Sequence, residues 1–568
     1  MGIKTVLIVL GLLIAGASSC IAAPSTNDVA TQEILRNKIE RQQELKRQQE
    51  EEQKRLQEPQ VNLQKSKADI ESLQFPEEKI MFPVNKIVIT GEQARKFAWL
   101  EKDLQKYVNR KLGVQGINIL AKYAQDKIMG RGFVTSKIVV PEQDLSTGRL
   151  ELQLIAGKIS KIRFDQEQQA GTWRNAFPTK AGKILNVRDL EQGLEQMKRV
   201  PNQDVKMQLV PAAKLGDTEV VIQVTRSKPW SIAVSLDDAG LEHMGRMQAT
   251  SSFNLYNPSG LNDVLSYSLN DYYFKEQIPT ASNKGYSLYY SIPYGNYSLS
   301  INKYQNRYHQ RVNNLTPFIS SGKSDTLEIE LKRLLYRDQV RKYQGFVKII
   351  QKDRHSYIND TEIGVQRQET TAYQLGVQHR QYIGESTLDT IIYYQKGVPW
   401  FGAAPGLTDT EAGKLTTRYS LWSASLNLAK PLKLGKVKGR YNLNIKGQYT
   451  KDALYSSEQI SIGGRYSVRG FDGEQSLLAE NGIIIRNEIS IPLANSSLEP
   501  YIGLDCGRVW GAASEYLLGN SLMGTVVGIR GTVGKNISYD AFIGAPLHKP
   551  KGFKTAKTAL GFQITCQI

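Results

Sequence analysis

Two stretches late in the chain hold charged residues whose types and spacing carry chemical meaning. One is GRYSVRGFDGE, Gly464 to Glu474, in which Arg469 stands between Val468 and Gly470, with Phe471 next. The other is YIGLDCGRVW, Tyr501 to Trp510. As a strand it places Tyr501, Gly503, Asp505 and Gly507 on one face, and Ile502, Leu504, Cys506 and Trp510 on the other. The second face is the apolar one, so Asp505 points away from it. A carboxylate in a partly desolvated setting needs a cation. Arg469 is either a solvated loop charge or such a partner, and its planar fork suits a bidentate contact that Lys does not reproduce. By the same parity Arg486 and Glu488 of IIIRNEIS point inward from the preceding strand. In YNLNIKGQY, Lys446 shares a polar face with Asn442, Asn444 and Gln448. The chemistry these residues offer is charge pairing inside a polar enclosure.

Bond-making chemistry has little support. The five histidines, His243, His309, His355, His379 and His548, are scattered and show no zinc-ligand spacing. No nucleotide-binding loop is present; GIRGTVGKN has the wrong spacing and alternates like a strand. No cofactor, metal or catalytic residue is assigned. A Ser-His-Asp set is a spatial arrangement, so a barrel enzyme stays open as an alternative class, beside a passive porin. The net charge of +18 suggests a membrane surface, a polyanion or nucleic acid. The basic residues are spread along the chain without a recognition motif, which speaks against nucleic acid.

The elements that must position these residues read as follows. Lys4, the apolar run Thr5–Ala17 and the small residues Ser18–Ala23 form a secretory signal, residues 1–22, with cleavage expected after Ala22. Acylation of Cys20 is the alternative, but Leu is missing three residues before it. No other apolar run reaches the length of a membrane helix, so any membrane span must be β. Cys506 and Cys566 lie in separate expected strands and are expected to be free thiols.

Residues 28–58 are rich in Gln, Glu, Arg and Lys, without Gly or Pro until Pro59, and read as one helix polar all round. Such a helix is either solvated or placed in a polar surround. Residues 59–82 read as a linker. Residues 83–157 read as β-α-α-β-β, with helices in Ala94–Gly113 and Ile117–Gly132. Residues 158–228 read as a second, similar unit whose helix, Asn186–Val200, is capped by Asn186. From 229 to 568 the texture is alternation with abundant tyrosine, which fits a transmembrane barrel with aromatic girdles. Sixteen strand starts fall near residues 230, 246, 264, 285, 297, 325, 341, 372, 387, 418, 438, 482, 499, 522, 536 and 556. Gln305–Ser324 and Val398–Lys414 read as long loops, against tight turns at Pro293–Asn296 and Val533–Asn536.

Signal, charged helix, two small repeats and a sixteen-strand barrel together resemble the two-partner secretion transporters of the outer membrane, whose repeats are POTRA (polypeptide-transport-associated) domains. VRGF, Val468–Phe471, matches the superfamily signature in a loop that folds back into the barrel. GLDCG, Gly503–Gly507, matches its G-x-D-x-G partner on the barrel wall. The resemblance implies a monomeric Gram-negative outer-membrane protein with its repeats in the periplasm. It implies that Arg469 reaches Asp505, that residues 28–58 plug the resting pore, and that the repeats receive a large β-helical exoprotein. That exoprotein is a cytolysin, an adhesin or a contact-dependent toxin, and its identity stays open. The barrel-assembly machinery is the expected partner for insertion, although the chain ends at Ile568 where the resemblance implies an aromatic residue. A barrel insertase of the same superfamily is the alternative, and it usually carries more repeats.

Overall fold

The structure is a computed structural model and describes residues 26–63, 73–166, 171–214, 216–242, 245–272, 281–313, 317–406, 414–435, 437–494 and 496–568. The expected signal, residues 1–22, and part of the expected linker, residues 64–72, lie outside them. Among the described residues no helix is long and apolar enough to cross a membrane.

The alternating half of the chain closes into one antiparallel barrel of sixteen strands, from Trp230–Asp237 to Ala559–Gln567, with a two-residue stub at Thr361–Glu362. The last strand pairs with the first from Gln563↔Asp237 to Gln567↔Ala233. Closure pairs every strand on both sides, as hydrocarbon requires. The expected parity holds: Ile502 and Leu504 are 54% and 47% exposed on the outer wall, whereas Asp505 is 1% exposed. Cys506 and Cys566 are free.

One stretch expected as a loop is mostly strand. Residues 305–324 continue the strand Tyr297–Val312 and begin Phe318–Arg337, whose start was expected near residue 325. These strands are 16 and 20 residues long and rise beyond the apolar belt. There the outer face carries Arg307, Arg311 and Lys323 in place of apolar residues, so hydrophobic alternation vanishes while backbone pairing continues.

Two small α+β domains precede the barrel. In the first, Lys86–Thr90 runs parallel to Arg149–Ile155, which pairs antiparallel with Lys137–Val139. The helices Ala98–Leu104 and Val114–Gly130 cover this sheet through Leu100, Leu104, Leu120 and Ile128. The first helix is shorter than the expected Ala94–Gly113. Arg110–Leu112 instead pairs with Phe82–Val84 as a small separate sheet. In the second domain Lys158–Phe164 runs parallel to Asp217–Arg226, and Gln203–Pro211 forms the outer edge. Its helix, Val187–Lys198, starts where the Asn186 side chain accepts a hydrogen bond from the Arg188 amide at 2.9 Å. The described residues between Phe164 and this helix form turns, where the repeat pattern places another helix. Phe177 from those turns lies against Gly193, where a side chain would clash.

The second domain is locked to the barrel mouth by buried charge. Arg337 contacts Glu191 at 3.1 Å and Glu195 at 2.8 Å, and Lys342 contacts Glu195 at 2.7 Å. Burial alone would raise the Glu195 carboxyl; Lys342 and Arg337 outweigh it and hold the group below the usual carboxylate range. The chain that follows the N-terminal helix passes through this junction. There the Val61 amide donates to Glu195 at 2.7 Å and the Leu63 amide to Glu191 at 2.8 Å.

Candidate functional site: a re-entrant loop and a helix inside the barrel

Between the strands Val437–Thr450 and Asn481–Ser490 the chain folds inward, held by a short hairpin of Ile460–Ile462 with Leu477–Ala479. At its tip Val468 and Phe471 are buried with Ile462, Leu477, Val509, Leu522 and Phe553. Phe471 meets Phe553 edge-to-face at 5.8 Å. The apolar anchor on each side fixes where Arg469 points.

The structure brings Arg469 and Asp505 together. Nε donates to Oδ2 at 2.7 Å and Nη2 to Oδ1 at 3.0 Å, a bidentate contact, and the Arg469 amide adds a third bond to Oδ2 at 3.0 Å. Glu488 accepts from Nη1 at 2.5 Å. Arg486 approaches Asp505 at 3.6 Å, and Arg530 pairs with both Glu488 and Glu499 at 2.8 Å. Three guanidinium groups thus face three carboxylates, so the net charge of the buried network is zero. Lys446 stands apart from it and meets Gln48 of the N-terminal helix.

Glycines allow this approach. A Cβ at Gly503 would lie 2.5 Å from Arg469 Nη2, and one at Gly507 would lie 2.8 Å from Ile462. Gly470 has φ 101°, a conformation side chains rarely adopt, and a Cβ there would lie 2.5 Å from the Ala545 carbonyl oxygen. Sequence reasoning missed a second glycine wall. Gly524 lies directly under the Arg469 carbonyl, and a Cβ at Gly544 would lie 2.8 Å from the Gly470 Cα. Gly524→Val is therefore expected to push the tip off the wall at a cost of about 1–3 kcal/mol. Faster cleavage of the loop by protease added to whole cells would show this; an unchanged rate would mean the wall yields instead.

Arg465 was also missed, although it lies four residues before Arg469 in the same stretch. It pairs with Asp238, at the end of the first strand, at 3.0 Å and donates to the Phe562 carbonyl of the last strand at 3.3 Å. Asp238 also accepts from the Phe562 amide at 2.8 Å. The loop therefore sits astride the closure of the barrel. Asp238 is 227 residues from Arg465, and no local pattern links the two.

The N-terminal helix, Thr26–Leu56, has 31 residues and is about 46 Å long. Arg36 donates to the Gln366 carbonyl at 3.1 Å near one mouth, and Arg380 reaches the Leu56 carbonyl at 3.4 Å near the other. Between them Lys46 pairs with Asp237 at 2.8 Å, Arg47 with Glu328, and Glu52 accepts from Asn427 and Asn444 at 2.6 and 2.8 Å. Lys38 pairs with Glu474 of the loop at 2.6 Å. These are polar contacts to wall and loop along the lumen. Ile39, packed with Leu241, Ala281 and Tyr308, is an apolar exception.

A closed barrel with small periplasmic α+β repeats, an inward loop bonded to its wall and a polar helix along its lumen defines a polypeptide-transport class of outer-membrane barrel. The family of haemolysin secretion/activation proteins ShlB/FhaC/HecB matches residues 216–531, and two POTRA domain families match residues 82–157 and 158–211. The outer membrane transporter CdiB-2 of Burkholderia pseudomallei is 37% identical over 478 residues, 83% of this chain and 81% of that protein. The hemolysin transporter protein ShlB of Serratia marcescens is 27% identical, over 69% of this chain and 70% of that protein. The solved structure of CdiB from Acinetobacter baumannii superposes with a TM-score of 0.82 at 30% identity, covering 93% of this chain and 98% of that one. The chain belongs to the ShlB/FhaC/HecB family and is an outer-membrane transporter of two-partner secretion.

Proposed function

We propose that this transporter passes a large β-helical exoprotein, unfolded, through the barrel, after its N-terminal region has bound the periplasmic domains. The observation that carries the reading is the helix Thr26–Leu56 lying along the lumen, mostly through polar contacts. A helix that forms part of a barrel core would bury an apolar stripe. This one is held mainly by polar contacts that water can replace and is suited to leave and return. The names of similar proteins, a hemolysin transporter among them, support a secreted polypeptide as cargo.

Strand addition supplies the capture step. In the second domain Gln203–Pro211 pairs on one side only among the described residues, and its Leu209 and Val210 side chains are exposed. The opposite edge, Lys158–Phe164, is partly covered by a bridge from Lys158 to Ile184. The incoming chain adds to the first edge and then meets the barrel mouth. With no ATP in the periplasm, folding of the exoprotein outside drives net movement. Arg469 holds the loop in the position that keeps a conduit open once the helix has gone. Lys446 and Arg486 lower the barrier for an acidic or polar chain.

The capture step is tested with a photo-crosslinking residue at Gln208 or Leu209 of the full-length protein in cells that also make its exoprotein. Cross-links to the N-terminal region of the exoprotein are expected from this edge and not from Lys161. Equal yields from both edges would rule out strand addition at Gln203–Pro211.

A further inference from the structure

The outer wall carries a basic patch that the transport reading does not use. The strands Ala281–Tyr294, Tyr297–Val312, Phe318–Arg337 and Arg341–Ile358 are neighbours in the barrel. Their register stacks outward residues in rows. Tyr290, Ile301, Ile329 and Ile349 form one row, and Ile292, Leu299, Leu331 and Val347 the row beneath, both fit for acyl chains. Above them Lys303 stands in the row of Leu288 and Leu327. Two rows higher Lys284, Arg307 and Lys323 lie directly opposite one another on three successive strands. Arg311 stands higher still, opposite Ile319.

The direction of the strands fixes which leaflet this is. The Tyr294–Tyr297 turn rests on the second periplasmic domain, where the Gly295 amide donates to the Asn175 carbonyl at 2.7 Å and Gln196 reaches the Tyr297 carbonyl at 3.3 Å. The ends holding Lys284, Arg307 and Lys323 therefore point away from the periplasm, and the patch lies above the outer edge of the apolar belt.

Like charges opposite one another on paired strands repel. Lys323 is offset by Asp325 at 2.6 Å, and Asp353 and Glu362 are engaged by His355. Lys284, Lys303, Arg307 and Arg311 are exposed and form no ion pair among the described residues. A row in which Lys284, Arg307 and Lys323 are bounded by a single carboxylate, Asp271, on the neighbouring strand, lying above an acyl-chain surface with Tyr286 between them, is complementary to an amphiphile that carries phosphate above hydrocarbon. Guanidinium groups bind phosphate through paired hydrogen bonds.

We propose that this face, centred on Lys284, Arg307 and Arg311, binds the phosphate groups of anionic lipid headgroups in the outer leaflet, with the acyl chains against the apolar rows beneath. Such a lipid neutralises the row and fixes the height of this wall in the membrane. The proposal rests on the barrel and its orientation, not on how cargo moves.

The test uses the full-length protein reconstituted in neutral phosphatidylcholine vesicles doped with diphosphorylated lipid A or with the same lipid stripped of phosphate. Lipid retained through repurification is measured by native mass spectrometry. The wild type is expected to retain the phosphorylated lipid and not the stripped one, and inorganic phosphate at matched concentration is expected not to displace it. In the variant Lys284→Gln/Arg307→Gln/Arg311→Gln retention is expected to fall about 100-fold, from about a factor of five per basic side chain. Heat-dependent gel migration checks that the variant barrel is closed. Equal retention of both lipids by the wild type, displacement by inorganic phosphate, or undiminished retention by the closed variant would each overturn the proposal. So would a variant that keeps the lipid but loses contact with the emerging exoprotein, which would assign the patch to cargo.

Discussion

Replacing Arg469 by alanine is expected to stop export while leaving a closed barrel in the membrane. The substitution takes its two-pronged partner from Asp505, 1% exposed, leaving it Arg486 alone at 3.6 Å, and takes one of the two cations from Glu488. Breaking a buried pair by removing one partner costs about 3–5 kcal/mol. The cost falls on the loop position, because the barrel ladder does not run through Arg469. A shift of that size moves the loop equilibrium by roughly 100-fold or more, and exoprotein in the medium should fall to about one-hundredth or less. Arg469→Lys keeps the charge but loses the two-pronged contact, and is expected to restore only part of the export. Asp505→Asn keeps the shape and removes the charge, and is expected to fall between the two. The measurement is exoprotein in the culture medium against the amount of barrel that shifts on heating. Normal export by a folded Arg469→Ala protein would reduce the contact to a brace without a part in transport.

Deleting residues 28–58 is expected to give the second large effect, a several-fold rise in single-channel conductance in planar bilayers. The helix fills a column about 10–12 Å across, side chains included, and sixteen-stranded barrels leave a water-filled channel when nothing occupies them. The barrel itself is expected to survive. The wall contacts of the helix are hydrogen bonds and ion pairs that lie outside the barrel ladder; Lys46–Asp237 and Arg47–Glu328 have buried carboxylates, whereas Lys38–Glu474 is part-exposed, and such a pair is weak and screened by salt. For the same reason the intact protein should show more frequent brief openings as salt is raised. A conductance unchanged by the deletion would mean that the helix does not obstruct the path of ions.

Residues that alternate against lipid made the barrel readable. In Tyr501–Trp510 the contrast between Ile502, Leu504 and Trp510 outside and Asp505 inside is strong, because one face meets hydrocarbon and the other does not. The same contrast fades in Gln305–Ser324, where Arg307, Arg311 and Lys323 replace apolar residues on the outer face, so the pattern looks like a loop although the ladder continues. Helix signals behaved similarly. Val114–Gly130 shows an apolar face and Val187–Lys198 a start capped by Asn186, whereas the turns around Trp173 and Phe177 replace a helix with aromatic contacts that carry no period. The candidate site was legible through Asp505, Arg469 and Glu488, since parity states which way a charge points. Arg465 with Asp238, and Gly524 with the Arg469 carbonyl, join parts of the chain that meet only when the barrel closes.

The chain between the helix and the first domain has a kinetic consequence. It is pinned at Val61 and Leu63 beside the barrel mouth, so a helix that has left the lumen stays on a leash of only a few residues from that anchor. A tethered segment returns to its seat at an effective concentration in the millimolar range, whatever the abundance of the protein. Under the proposed function, resealing after a round of export would then be a first-order event timed by the leash, and the permeability barrier would not depend on finding a separate stopper.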